Sequence, residues 1–436
     1  MIYILMALVF VLGYTAIALE HPIKINKAAS ALFTAAVCWT LFVIGKDMIL
    51  PVNGEEASHI IESGLMHHLG EIGGILFFLL GAMTIVEIID AHDGFSLIID
   101  KINTTKKSKL LILLCVITFF MSAALDNLTT SIVMATLLRK IIADKKDLWL
   151  FAGMIIIAAN AGGAWSPIGD VTTIMLWIGG QVSATNIILK LFIPSLVCMV
   201  VPLTIMSYRL KGNIVNPTVS EDNLAQIDLH HKEKKLVLYL GLGALLFVPF
   251  FKAFTHLPPF LGILFGLSIL WATTELLHKR KEEVAKQKFS IEHILTKIDT
   301  QSILFFLGIL LAVAALQTAG HLQELALFLD NSIGNVWIIN VLIGFLSSIV
   351  DNVPLVAGAI GMYDLNTFAQ DNIFWELLAY CAGTGGSCLI IGSAAGVAIM
   401  GILKIDFIWY LKNISLLAVS GYLSGALVFW LMNLIS

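Results

Sequence analysis

Leu125-Asp126-Asn127-Leu128-Thr129-Thr130, followed by Asn160-Ala161-Gly162-Gly163-Ala164-Trp165-Ser166-Pro167-Ile168-Gly169-Asp170, is the stretch that decides the fold, because its pattern recurs. The second copy is Asp351-Asn352-Val353-Pro354, then Gly385-Gly386-Ser387-Cys388-Leu389-Ile390-Ile391-Gly392-Ser393. A third anchor precedes each copy: Ile75-Leu76-Phe77-Phe78-Leu79 returns as Ile303-Leu304-Phe305-Phe306-Leu307. The anchors, the Asp-Asn pairs and the Gly-Gly pairs are separated by 228, 225 and 223 residues, in the same order. One such match is cheap in apolar sequence; three in register are not. An ionisable residue in hydrocarbon costs roughly 2.5–3.5 kcal/mol on insertion scales, so it persists there for a function. Duplicated, interrupted apolar segments point to the binding site of a carrier.

Around these copies the chain is 58% hydrophobic and 13% charged, against roughly 45–50% and 25% for soluble domains. The excess lies in long runs, which implies a polytopic membrane protein. A net charge of −4 suggests no nucleic-acid partner. The five cysteines have no metal-ligand spacing and read as packing residues. The first run starts at Ile2 without a basic flank, so no cleaved signal peptide is expected.

A helix needs about 20 residues to cross about 30 Å of hydrocarbon. Eight runs qualify: Ile2–Leu19, Ala28–Ile44, Ile72–Ile89, Ile187–Tyr208, Leu236–Phe251, Phe260–Leu277, Ser302–Leu316 and Ile414–Ile435. Leu148–Gly180 and Ile373–Leu403 are longer and glycine-broken, so each reads as one crossing made of two half-helices. Leu110–Leu138 and Val336–Tyr363 hold the Asp-Asn pairs at mid-length and are too short to span twice. If each enters and leaves by one face as a hairpin, all basic residues except Lys46, Lys190 and Lys252 gather on one side. Single crossings would scatter them. By the positive-inside rule the basic face is cytoplasmic and both termini lie outside.

The expectation is therefore an all-α membrane protein with two inverted repeats. Each has five crossings, one of them broken, plus one re-entrant hairpin. The first repeat covers residues 1–211 and the second 236–436, with a cytoplasmic linker at 212–235. His278–Thr300 reads as a further cytoplasmic linker. Non-helical backbone at membrane depth must be covered by protein or line a cavity, so tips and breaks should meet inside.

Pooling them gives two polar clusters. One holds Asp126, Asn127, Thr129, Thr130, Asn160, Ser166, Asp170, Thr172 and Thr173. The other holds Ser347, Ser348, Asp351, Asn352, Thr384, Ser387 and Ser393. Nearly all the polar atoms are hard oxygens, with no Lys or Arg among them, which suits a hard cation rather than an anion. A proton and a metal cation can compete for one carboxylate, and that competition is what a cation/proton exchanger requires. Simpler roles exist for several of these residues. Thr130 and Ser348 can bond their own i−4 carbonyls, and Asn127, Asn352, Asp126, Asp351 and Asp170 can cap half-helices. Glu71, beside His67 and His68, reads as a proton entry point or a solvated loop at the outer face. Glu87, with Asp90, His92 and Asp93, reads as a cytoplasmic proton path.

These strings, with Gly383-Thr384-Gly385-Gly386-Ser387 and Phe77-Phe78-Leu79-Leu80-Gly81-Ala82-Met83-Thr84-Ile85-Val86-Glu87, resemble NhaD-type sodium/proton antiporters. That family lies in the ion transporter superfamily, beside arsenite permeases and dicarboxylate carriers. The resemblance runs from about residue 70 to the C-terminus. It implies exchange of Na⁺, often also Li⁺, for H⁺ across the cell (inner) membrane, in the service of pH homeostasis and without a cofactor. It also implies a homodimer with a moving transport body. Its expected site maps onto Asp126, Asn127, Thr129, Asn160, Asp170, Thr172, Thr173, Ser347, Asp351, Asn352 and Ser387. At the second break, Cys388 and Ile390 stand where the first has Trp165 and Pro167, and Ser393 stands for Asp170. A sodium-coupled anion symporter of the same superfamily is the nearest rival, and a cation channel another. No enzyme is expected: every histidine lies near a segment end or in a loop, leaving an intramembrane hydrolase without its chemistry.

Overall fold

The computed structural model describes residues 2–50, 52, 54–99, 104–214, 231–279 and 289–435. Within them the chain is built of helices and short connections, with one isolated bridge between Lys106 and Asn213. Helices are what apolar surroundings demand, because each closes its backbone hydrogen bonds internally. Nine helices among the described residues are long and apolar enough to cross a membrane. The chain is an integral membrane protein.

Length alone departs from the expected crossings in three places. Ile2–Ala18 has 17 residues, each half of the second broken helix is short, and Lys107–Leu125 is long enough to span. Contacts show how Lys107–Leu125 is used. At its start, the Lys107 ammonium lies 2.6 Å from Asp147, in the first turn of Lys145–Ala164. The Lys107 backbone N–H donates to Gly212 O at 3.0 Å, just past the end of Ala184–Arg209. After Asp126 the chain turns into Asn127–Ile141. There Thr136 and Lys140 line a cavity with Asp93 and Lys234, beside the end of Glu55–Ala91 and the start of His231–Thr255. Both ends of this first hairpin thus join one set of helix ends, while its tip meets the middle of a neighbour.

The second hairpin, Val336–Ser347 and Asn352–Met362, has its ends elsewhere. Trp337 packs on Phe429 late in the last helix, with ring centroids 5.6 Å apart. Tyr363 OH donates to Asp330 at 2.9 Å. The loop that follows is clasped to Gln181 and Ser183 through Asp371.

The two tips are held by matching bonds. Ser122 Oγ donates to Ala159 O at 2.6 Å, and Ser347 Oγ donates to Ala382 O at 2.8 Å. The glycines of the breaks allow this approach. A Cβ at Gly162 would lie 2.2 Å from Phe119 O, and one at Gly385 would lie 2.1 Å from Gly344 O. The first broken helix is Lys145–Ala164 plus Val171–Ile178; the second is Ile373–Gly385 plus Ala394–Leu403. Asp170 and Ser393 occupy the same N-cap position of the second half-helices.

Three sequence expectations change. The third crossing extends over Glu55–Ala91, 37 residues, with Glu55 and Glu56 in its first turn, where acidic side chains favour a helix start, and no proline before Ile72 to interrupt it. Glu71 therefore sits well inside a helix rather than at its opening. The helix His231–Thr255 takes up residues 231–235 of the expected linker, whose residues 215–230 lie outside the described residues. Of the stretch His278–Thr300, residues 280–288 also lie outside them, and Ile291–Leu295 forms a short helix.

Candidate cation site

Each aspartate of the pattern begins a helix. Asp126 lies between the two limbs of the first hairpin at φ 80° and ψ 160°, a backbone region that costs a non-glycine residue about 1–3 kcal/mol. Its side chain offsets that strain by accepting from Thr129 N at 2.8 Å and Thr129 Oγ1 at 2.9 Å. Asp170 begins Val171–Ile178 from extended backbone, in a capping box with Thr173. Asp351 begins Asn352–Met362, accepting from Val353 N at 3.3 Å. The capping roles read from the sequence for the aspartates are therefore present. They leave carboxylate oxygens with further partners.

Those partners converge on Asp170, which is 1% exposed. Its carboxylate accepts from Thr172 N at 2.8 Å and Thr172 Oγ1 at 2.7 Å. It also accepts from Asn127 Nδ2, at the first tip, and from Asn352 Nδ2, at the second tip, at 3.2 and 3.4 Å. Asn127 Nδ2 donates in addition to Asn160 Oδ1 at 3.0 Å. Asn160 Nδ2 then donates to Ser387 Oγ and Ser393 Oγ, both at 2.9 Å. One hydrogen-bonded path thus links both hairpin tips and both helix breaks. Asn127 and Asn352 sit just inside their helices and bond Asp170 instead of capping.

The other expected residues are less central. Thr173 serves the capping box, and Thr384 Oγ1 donates to Tyr380 O at 2.6 Å. Ser347 binds the backbone of the neighbouring helix, and Ser348 Oγ donates to Phe345 O at i−3. The expected i−4 bond of Thr130 is not formed; its hydroxyl is buried without a hydrogen-bond partner. Glu71 lies 3.5 Å from His67 and 3.4 Å from His68 and lines a cavity of about 170 Å³ with Gln181 and Gln317. Glu87 lies 3.5 Å from Lys297. Neither joins the Asp170 network.

The absence of basic partners, read from the sequence, does not hold for Asp351. Lys27 Nζ is 3.3 Å from Asp351 Oδ2 and 4.4 Å from the centre of the Phe305 ring. Sorting by segment puts Lys27 in a loop, because nothing in the local pattern shows which way a residue at a helix start will reach. The two residues are 324 positions apart. Ser393, present in the second cluster but absent from the residues of the expected family site, is the other member of the network, and its bond to Asn160 depends on the packing of one break on the other.

Among the described residues no cluster of three or more His, Cys, Asp or Glu side chains is placed to hold a metal ion. What assembles is one buried carboxylate with amide and hydroxyl groups. In an amide the carbonyl oxygen and NH₂ exchange places by a half-turn, so the asparagines can meet a carboxylate as donors or a cation as acceptors.

Comparison with known proteins fits a carrier built around such a site. The chain is 49% identical to sodium/proton antiporter 1 of Arabidopsis thaliana, covering 96% of this chain and 71% of that one. It is 45% identical to sodium/proton antiporter 2 of the same plant, over 97% and 98%. It is 31% identical to the Na⁺/H⁺ antiporter NhaD of Vibrio cholerae, over 98% and 91%. The chain belongs to the NhaD-type antiporter family. A family model described as citrate transporter matches residues 4–379. Within the NhaD-type family, then, this chain places Asp170 where both hairpins and both breaks meet.

Proposed function

We propose that the protein exchanges Na⁺, and also Li⁺, for H⁺ by alternating access, with Asp170 as the central carboxylate and Asp126 and Asp351 beside it. The observation that carries this reading is the convergence of Asn127 and Asn352, one from each hairpin tip, on Asp170. A group bonded from both tips senses a rearrangement of either. The relatives' printed function agrees. The citrate transporter description would suit an anion, but a carboxylate at the centre repels one, and the Lys27 ammonium is engaged by Asp351.

The architecture proposed with it is a pair of inverted repeats, residues 1–211 and 236–436, joined at 212–235. Its support is the matched serine clasps and the opposite placement of the hairpin ends. The proposed setting is the inner membrane with both termini outside, as a homodimer. Cysteines placed singly at Lys145 and Asp330, in a background lacking the native five, should react with an impermeant reagent from opposite faces. Labelling from the same face would end the inverted model.

Fluorescence dequenching in everted vesicles tests the exchange itself. Na⁺ and Li⁺ should dissipate an imposed proton gradient, while citrate in the absence of Na⁺ should not. Since protons and Na⁺ share the carboxylates, the apparent KM for Na⁺ should rise as pH falls, with maximal rate changing much less. A KM flat with pH would rule out the shared site.

A further inference from the structure

Lys27 is held on one packed pair of helices and reaches a residue on another element. It opens the helix Lys27–Ile44, which lies so close to Thr300–Thr318 that a Cβ at Gly308 would sit 2.6 Å from Leu32 N. Trp39 Nε1 donates to Leu311 O at 2.9 Å, and Asn26 Nδ2 donates to Gln301 Oε1 at 2.9 Å. The Lys27 backbone N–H is fixed by Glu20 at 3.1 Å. From this anchored start only the four-carbon side chain crosses to Asp351, at the tip of the second hairpin. The ion pair is half-sheltered, with the lysine side chain 23% and the aspartate side chain 12% exposed. Lys27 also lines a cavity of about 190 Å³ with Glu20, Asp299 and Gln301, which offer oxygens to a withdrawn ammonium. The Phe305 face gives it a second apolar-side contact of the cation–π kind.

We propose that the Lys27 ammonium is a tethered competitor for the transported cation at Asp351. It holds the carboxylate until Na⁺ displaces it, along the Phe305 face on which it already rests, into the oxygen-lined cavity. The inference rests on the exchange reading above and adds a specificity-determining residue to it. The chemistry is a swap of one monovalent cation for another on one carboxylate. Because the ammonium stays on the chain, local charge is higher by one for as long as Na⁺ is bound, and the cavity oxygens of Glu20, Asp299 and Gln301 and water take up the displaced ammonium. Because the competitor is attached to the chain, its effective concentration is fixed, and it weakens Na⁺ binding by a constant factor. It also ties the hairpin tip to the Lys27–Ile44 helix until an ion arrives, which disfavours movement of the unloaded carrier.

The test compares Lys27→Gln and Lys27→Arg with the native chain in everted vesicles at alkaline pH, alongside calorimetric Na⁺ titration of the purified proteins. Removing the competitor should lower the apparent KM and Kd for Na⁺ roughly three- to ten-fold. Arginine, which grips a carboxylate with two N–H groups, should raise both several-fold. A lysine that merely braces the fold would instead leave Kd unchanged or weaken it in both variants, and that result overturns the proposal. Should Lys27→Gln fail to insert, Lys27→Met takes its place, since it too removes the ammonium: a Kd for Na⁺ equal to or above the native value overturns the proposal. Native protein that showed no Na⁺-driven dequenching would fail the exchange reading itself. Native exchange with an unmoved Kd in Lys27→Gln would fail only the competitor.

Discussion

The two hairpin tips come from one duplicated pattern but hold their aspartates differently. At the first tip the chain turns on a single residue, Asp126, whose unusual backbone is held by Thr129 of its own helix. At the second, residues 348–351 make a longer turn, the cap at Val353 N is longer, and a lysine from a distant helix takes the free oxygen. The breaks differ in the same sense: the first ends in Asp170, the second in Ser393. The first copy therefore carries two carboxylates and the second one, already neutralised. The two copies of the pattern share a scaffold, while charge is concentrated in the first. A carrier that must release its ion gains from this, because several unpaired carboxylates at one depth would hold a cation too tightly or repel each other too strongly.

The comparison breaks most sharply at the helix breaks. Asp170→Asn keeps the shape and the cap but removes the charge on which both tips converge. Exchange should fall about a hundredfold or more, the scale of losing a charge stabilisation worth roughly 3 kcal/mol, while the protein still inserts. Dequenching with Na⁺ measures this, and near-native exchange would mean that capping is the residue's whole role. Gly162→Ala and Gly385→Ala should destabilise alike, since each added methyl meets a backbone oxygen rather than a yielding side chain. A loss of at least about 1–3 kcal/mol is expected, seen as a lower Tm in detergent. Unequal effects would show that one break is free to relax.

The asparagines sharpen the contrast. Asn127 links Asp170 to Asn160, whereas Asn352 reaches only Asp170 over longer distances. Asn127→Ala should raise the KM for Na⁺ about tenfold and Asn352→Ala about threefold, following hydrogen bonds to a charged group worth roughly 1–3 kcal/mol. The reverse order in vesicle kinetics would put the second tip closer to the ion. Thr129→Ala should have the smallest effect, a KM about two- to fivefold higher from one lost hydroxyl donor. No change would mean that the Thr129 backbone N–H alone is enough to hold Asp126.

Much of this was legible in the residues. The broken helices, the placing of Asp170 at a half-helix start and the membership of Asn127, Asn160, Asn352 and Ser387 follow from glycine clusters and from polar residues that hydrocarbon would otherwise exclude. Glu71 and Lys27 were not legible, for different reasons. The apolar run before Ile72 is too weak to announce a 37-residue helix, so Glu71 looked like a terminus. Lys27 follows a loop, where charge is ordinarily a sign of solvent and topology.

By itself the sequence determined the membrane class, the recurrence of the Asp-Asn and Gly-Gly pattern and the oxygen-rich character of the interior. Hydropathy and the cost of buried charge act residue by residue, and so can be read along a line. Only the tertiary structure decided which oxygens share a partner: that Asp170 gathers amides from both tips, that Asn160 spans both breaks, and that Lys27 neutralises Asp351 from 324 residues away. Those pairings are set by how closely the glycine-lined backbones approach and by the reach of single side chains. Neither quantity exists until the helices are packed.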